Sequence, residues 1–342
     1  MAQAKISKLD LIQKGKALLE ESRQQQAHSW QATTMKIMRN IINKIFLYLT
    51  LSALSFVFVY PLLFMISQSM MQPSDVADAT VQWIPKSLSF LNFDSAFGAL
   101  GGTATRTYWD AFLNSFIISF GSAALQVLSC AIAGYGFARY RFPGYIFLLS
   151  LVLFTFLVPP QTIVVPLYQF FGELGWLNTH FPFIIPSAMG HGLKGALFVL
   201  IFIQFFRRMP NVLEEAARID GAGAFRTYWT IMLPLAKPAL LVVFLFSVVW
   251  HWNDTFEPNM YLVVPDYYNL SQTLGIFNGQ ANANLSQATT TLSAAQSIGV
   301  APTLINQILA GALLTILPML VLYLFTQRHF VESVEKTGIA GE

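Results

Sequence analysis

Long stretches without a single charged side chain govern what this chain can fold into. Residues 45–67, 111–138 and 145–171 contain no Asp, Glu, Lys or Arg. A helix rising 1.5 Å per residue needs about 20 apolar residues to cross a hydrocarbon core of about 30 Å. Each run meets that length. Residues 181–206 form a fourth, interrupted by His191 and Lys194; 239–253 with its flanks is a fifth, and 305–326 a sixth. Only 11% of the 342 residues are charged, against about 25% in soluble domains, too few to cover a water-facing surface. The expected class is therefore an all-α integral membrane protein with six transmembrane helices. Pro159, Pro160 and Pro166 predict a bend in the third span.

The basic residues predict orientation. Eight precede the first span: Lys5, Lys8, Lys14, Lys16, Arg23, Lys36, Arg39 and Lys44. Arg139 and Arg141 fall between spans two and three. Arg207, Arg208, Arg218, Arg226 and Lys237 fall between spans four and five, and Arg328 and Lys336 follow span six. The opposite loops hold Lys86 and Arg106, so 17 basic residues on one side face two on the other. Positive-inside bias then puts both termini in the cytoplasm, as an even number of spans requires. The first span is too long for a cleaved signal and lacks a small-residue cleavage site. Three segments are expected: a cytoplasmic leader over 1–44, a transmembrane domain over 45–330 and a cytoplasmic tail over 331–342. The leader reads either as a membrane-surface helix or as a weakly ordered segment.

Between spans four and five, residues 207–238 read as two short helices around a glycine turn. Asn211 is placed to cap the first helix, with Glu214 completing a capping box. Gly221 and Gly223 allow the reversal, Ala216 and Ala217 leave a small face, and Pro234 is expected to stop the second helix. Physical reasoning alone leaves this knob either a docking element or an amphipathic loop lying on lipid.

The residues Glu215, Ala216, Ala217, Asp220, Gly221, Ala222, Ile231, Leu233 and Pro234 stand at the spacing of the EAA loop. In this the chain resembles the permease subunits of carbohydrate-uptake ABC importers. Gly134-Tyr135-Gly136-Phe137-Ala138-Arg139 with Phe142-Pro143-Gly144 is similar to the second cytoplasmic loop of sugar-specific members. Val158-Pro159-Pro160-Gln161, Asn178-Thr179 and Ile185-Pro186-Ser187 extend the likeness, and Gln327-Arg328-His329-Phe330-Val331 resembles the end of the tail-bearing, maltose-transporter-type subunit. The resemblance covers about residues 45–342 and is thin at 276–303. It implies a type I importer permease fold with cytoplasmic coupling helices. Glu214 joins the coupling set beside Glu215, which would meet a basic group on the ATPase, while Gly221 would hold the bend. The implied partners are a homologous second permease, two ATP-binding subunits, an extracellular solute-binding protein, a sugar and membrane lipid. Nothing points to nucleic acid.

Several residues bear on a solute path. Lys194 is the one basic residue inside a span; either it faces a cavity, or glycine breaks start the helix late and the side chain snorkels outward. Trp250, Trp252, Asn253, Asp254 and Glu257 combine aromatic faces with hydroxyl acceptors, which suits a carbohydrate; tryptophans there also suit an interfacial belt. The extracellular loop is expected over 254–304. Its uncharged polar stretch, 275–303, reads as a flexible loop or, by resemblance to the maltose system, as one reaching the binding protein.

No phosphate-binding Gly-x-x-x-x-Gly-Lys-Ser/Thr pattern occurs, so ATP and Mg²⁺ are assigned to a partner ATPase and the chain itself is not an enzyme. Gly190-His191-Gly192-Leu193-Lys194-Gly195 satisfies G-x-G-x-x-G but lies in a span rather than after a strand. Five scattered histidines and a single cysteine, Cys130, support neither a metal site nor a disulfide. The expected function is transport of a sugar, an oligosaccharide in the first instance, into a bacterial cell across its cytoplasmic membrane. The same architecture carrying a glycerol phosphate or polyol, or a stand-alone secondary transporter, are the alternatives.

Overall fold

A computed structural model describes the backbone of residues 2–76, 78, 80–81, 83–291 and 294–337. It describes the side chains of 35–76, 78, 80–81, 83–284, 286–287 and 304–328. Every regular element among them is helical.

The first helix, α1, runs unbroken over Ala2–Ser69. No backbone break separates the expected leader, 1–44, from the first span. Residues 1–64 form a unit of their own. The span side chains there point outward on all sides, as Phe46 and Phe58 do, which suits hydrocarbon and not water.

In the second unit, residues 65–342, α2 (Leu91–Ala99) leads to the long span α3 over Tyr108–Arg139. Asp110 starts α3 by accepting hydrogen bonds from the Thr107 amide at 2.7 Å and hydroxyl at 2.9 Å, holding a carboxylate against the positive helix end. The third expected span is two helices, α4 (Tyr145–Leu157) and α5 (Pro160–Glu173), which meet at 101°. The proline bend is thus a near right angle. It is made at Val158 and Pro159, both extended, because a residue preceding proline is pushed out of the helical region. Pro166 sits inside α5 without ending it.

The fourth expected span is also broken. Helix α6 covers Phe181–Ala188 and α7 covers Gly195–Arg208, with left-handed backbone at Gly190 (φ 78°) and Lys194 (φ 59°) between them. Next come α8 (Val212–Ile219), α9 (Ala224–Leu235, with a wide π-turn at Tyr228–Met232) and α10 (Lys237–Asn253). The short α11 is Phe256–Tyr261.

The polar stretch read as a flexible loop or as a reach toward the binding protein is helical where it is described. Helix α12 covers Leu270–Thr291 and α13 covers Ala294–Thr337, with residues 292–293 outside the described set. The two fold back on one another, since a Cβ on Gly311 would lie 3.3 Å from Leu274. No proline interrupts the Ala, Gln, Asn and Ser residues between 275 and 301, so nothing there stops a helix once a neighbour packs on it, and Pro302 lies inside α13 without ending it. Helix α13 also carries through the sixth span into the expected tail, of which 338–342 lie outside the described residues.

The main core joins α3, α7, α9 and α10. Val127, Cys130 and Tyr135 pack with Phe198, Phe202, Phe206, Tyr228, Met232 and Val243, all buried. Helices α3 and α7 approach closely at Gly134, where an added Cβ would stand 2.4 Å from Phe202 Cβ.

Candidate functional site

The segment between α7 and α10 is the helix–turn–helix that the sequence predicts, with a different wiring at its start. Asn211 does not cap α8 with its side chain, and Glu214 does not close a box with it. Arg139, from the end of α3, takes both. Its guanidinium donates to Asn211 Oδ1 and, at 2.7 Å, to the Met209 carbonyl, while its Nε lies 3.3 Å from Glu214 Oε1. The Arg139 and Glu214 side chains are 7% and 9% exposed. An ionised guanidinium outcompetes a neutral amide for a nearby carboxylate, which is why the local capping rule loses.

The end of α8 behaves as the glycine predicts. Gly221 takes φ 77°, its N–H donates to Arg218 O at 3.0 Å, and the Ala222 N–H donates to Ala217 O at 2.8 Å. Those two hydrogen bonds make the Schellman closure, which needs a left-handed residue at the turn. Around it, Glu215, Ala216, Asp220 and Gly221 are exposed, Ala217 is buried and Ala222 half-buried. Ile231 and Leu233 are half-buried against the main core. Pro234 is exposed and does not stop the second helix: α9 continues to Leu235, and the chain turns by 75° at Ala236 into α10. Pro234 lies in the last turn of α9, just after the π-turn, so the helix ends one residue beyond it and the break falls at Ala236. Val212, Ile219 and Phe225, at 67%, 86% and 76% exposure, give the knob an apolar outer surface. Sequence reasoning missed them and Arg139; the seven-residue spacing of Val212 and Ile219 was the available signal.

A second group surrounds the break between α6 and α7. Gln126 on α3 donates to the Leu193 carbonyl at 3.0 Å and accepts from Ser247 at 2.6 Å. His251 Nδ1 lies 2.8 Å from the Ser247 carbonyl and its Nε2 3.5 Å from Ser187 Oγ. Gln126, Ser187, Ser247 and His251 are all buried. The network satisfies carbonyls that the broken helix leaves free, as a membrane interior demands. Gly192 is needed there, because a Cβ would meet Ser187 Oγ at 2.1 Å.

Lys194 begins the late-starting α7, is exposed, and holds its ammonium 5.8 Å from the Trp250 ring. Trp250 stacks on Phe198 at 5.5 Å and on Phe246 at 5.8 Å. Trp252 lies elsewhere: it is buried, packs edge-on against Phe112 and donates to the Thr315 carbonyl at 3.0 Å. Its ring is therefore spent on the chain's own packing. Asn253 is exposed and donates back to Val249 O at 2.9 Å. Beyond the end of α10, Asp254 accepts from the Phe256 amide at 3.0 Å, and burial raises its carboxyl. Burial, then the neighbouring Asp254 charge, pushes Glu257 up to about 8. The predicted path residues thus divide into a Lys194–Trp250 pair, a core tryptophan, an exposed Asn253 bonded to its own helix, and an acidic pair. No cluster of His, Cys, Asp and Glu able to hold a metal occurs among the described residues.

Residues 127–336 match the family described as binding-protein-dependent transport system inner membrane component. The chain is 28% identical over 290 residues to the arabinooligosaccharides transport system permease protein AraQ of Halalkalibacterium halodurans, covering 84% of this chain and 93% of that one. It is 30% identical to the melibiose/raffinose/stachyose import permease protein MelC of Bacillus subtilis, over 77% of this chain and 86% of that one. The sn-glycerol-3-phosphate transport system permease protein UgpE of Yersinia pestis is 27% identical over 81% of this chain and 90% of its own length. In fold, the chain is similar to a subunit in the crystal structure of a bacterial ABC transporter involved in the import of the acidic polysaccharide alginate. The TM-score is 0.66 at 22% identity, covering 84% of this chain and 96% of that one.

Proposed function

We infer function from one premise: this chain belongs to the family of binding-protein-dependent transport system inner membrane components. On that premise it is a permease subunit of an ATP-driven importer, and its cargo is a sugar, most simply an oligosaccharide. A binding protein delivers the sugar from outside. This chain and a homologous permease form the path, and two partner subunits hold ATP and Mg²⁺ and hydrolyse the nucleotide. Both termini and the α8–α9 knob lie in the cytoplasm of a bacterial cell, on the basic side of the membrane.

The observation that carries this reading is the outward position of Glu215 on a short helix closed by Gly221, beside the exposed Val212, Ile219 and Phe225. An apolar knob that carries the exposed carboxylates of Glu215 and Asp220 fits an apolar cleft edged by basic groups. When ATP closes the partner pair, the knob moves with its cleft, and the path opens toward the binding protein. The chain needs no nucleotide site of its own for this. Two of the relatives are named for oligosaccharides, which supports sugar as the cargo class. The relative named for sn-glycerol-3-phosphate supports the second reading, a phosphorylated polyol carried by the same architecture. Lys194 is the side chain that would meet that anion.

The test is reconstitution with the neighbouring transport subunits in proteoliposomes. A sugar-loaded binding protein should stimulate ATP hydrolysis, a panel of oligosaccharides and glycerol phosphate should identify the cargo, and Glu215→Lys should lose the stimulation. Solute uptake by the chain alone, without ATP, would overturn the proposal.

A further inference from the structure

Helix α8 is joined to the membrane spans by little besides one buried ion pair. It has the exposed residues Val212, Glu215, Ala216, Arg218 and Ile219 on its outer side, and no span packs broadly against it. Its buried residues are Ala217, which offers only a methyl group, and Glu214, with Leu213 half-buried beside them. Glu214 meets Arg139 at 3.3 Å, with both side chains more than nine-tenths buried. Arg139 also holds the end of α7 through the Met209 carbonyl and the start of α8 through Asn211. The second Glu214 oxygen lies 3.9 Å from Arg218 of the same helix, a residue 71% exposed, so that contact ties α8 only to itself. The pair lines an open pocket of about 270 Å³, together with Tyr135, Tyr140, Arg218 and Ala222. Close packing does not fill the gap between α3 and the knob, and the ion pair bridges it.

We propose that the Arg139–Glu214 pair is the positioning link that makes α3 move with α8, so that of the two adjacent glutamates Glu215 faces outward and Glu214 transmits motion inward. The proposal rests on the transport reading above. A buried guanidinium–carboxylate pair suits the task, because separating it leaves two desolvated charges unpaired, whereas moving it as a unit costs nothing. Arg139 is the last residue of α3, the helix that carries Gln126 and so reaches the polar network at the break between α6 and α7. A displacement of α8 taken up by Arg139 is therefore delivered to that break without an intervening flexible segment.

The experiment uses the full complex in proteoliposomes, with hydrolysis expressed per assembled complex as the ratio of sugar-stimulated to unstimulated turnover. Arg139→Glu and Glu214→Arg singly should each reduce that ratio at least ten-fold, and the double exchange should recover most of it. Glu214→Gln, nearly the same shape, guards against misfolding of the reversals and should reduce the ratio without reducing the amount of assembled complex. A structural role alone would lower the yield of complex and leave the ratio of what assembles unchanged; that result overturns the proposal, as does failure of the exchange to recover the ratio. Wild-type chain that brings down no ATPase would instead refute the transport reading, and the two failures are distinct.

Discussion

Gly134 and Gly136 lie two residues apart in one helix, and the structure assigns their alanine variants opposite effects. A Cβ on Gly134 would stand 2.4 Å from Phe202 Cβ and 3.2 Å from the Ile203 amide nitrogen, whereas ordinary contact begins at 3.4 Å. Helices α3 and α7 would have to part by about 1 Å. Phe202 is fully buried within the main core, so it has no empty space to move into. Overpacking of this kind costs about 1–3 kcal/mol, offset by up to about 1 kcal/mol from replacing a helical glycine. Gly134→Ala should therefore lose about 1–2 kcal/mol, or about 2–8 °C in Tm at the slope found for domains of similar size. A Cβ on Gly136 meets nothing within 4 Å. Gly136→Ala should keep only the helix-propensity gain, leaving Tm unchanged or raised by up to about 4 °C. The chain carries its own reporter: Cys130 is its one cysteine and is fully buried beside α7, so a thiol-reactive dye in detergent reads unfolding directly. Equal melting temperatures for the two variants would refute the assigned helix contact.

Two further expectations concern the knob and the acidic pair. Gly221→Pro cannot adopt φ 77° and loses the N–H that donates to the Arg218 carbonyl; it should abolish sugar-stimulated ATP hydrolysis while the chain still inserts, as measured by membrane fractionation beside the proteoliposome assay. Glu257 has an ordinary value of 4.5 that burial raises to about 8. The folded chain then binds more protons than the unfolded one between those values, so this carboxyl makes stability fall as pH rises through about 4.5 to 8. Melting followed by tryptophan fluorescence should show that slope, and Glu257→Gln should flatten it; an unchanged slope would remove Glu257 as its source.

Much of the architecture was legible because lipid imposes it. The uncharged runs marked where helices must be, and the prolines and glycines marked where α4 meets α5 and where α6 meets α7. The turn at Gly221 was legible for the same reason: only a left-handed residue closes α8 in that way, and glycine occupies the position. The start of α8 was misread, because Asn211 and Glu214 form a capping pattern on paper and the competitor, Arg139, is 72 residues from Asn211. The helicity of α12 was not legible because polarity suits a solvated loop and a solvated helix alike: Asn278, Gln280, Asn282 and Asn284 are exposed on it.

The sequence by itself determined that the chain is a set of membrane helices joined through a helix–turn–helix between the fourth and fifth spans. Those features follow from hydration cost, chain length and backbone φ, all of which act over a few neighbouring residues. The tertiary structure alone decided which glutamate of the adjacent pair is buried, that Trp252 is core while Trp250 meets Lys194, and that Gly134 rather than Gly136 sets the approach of α3 to α7. Each of these depends on which side of a helix meets which neighbour, and residues far apart in the chain settle that by competing for the same space and the same charge.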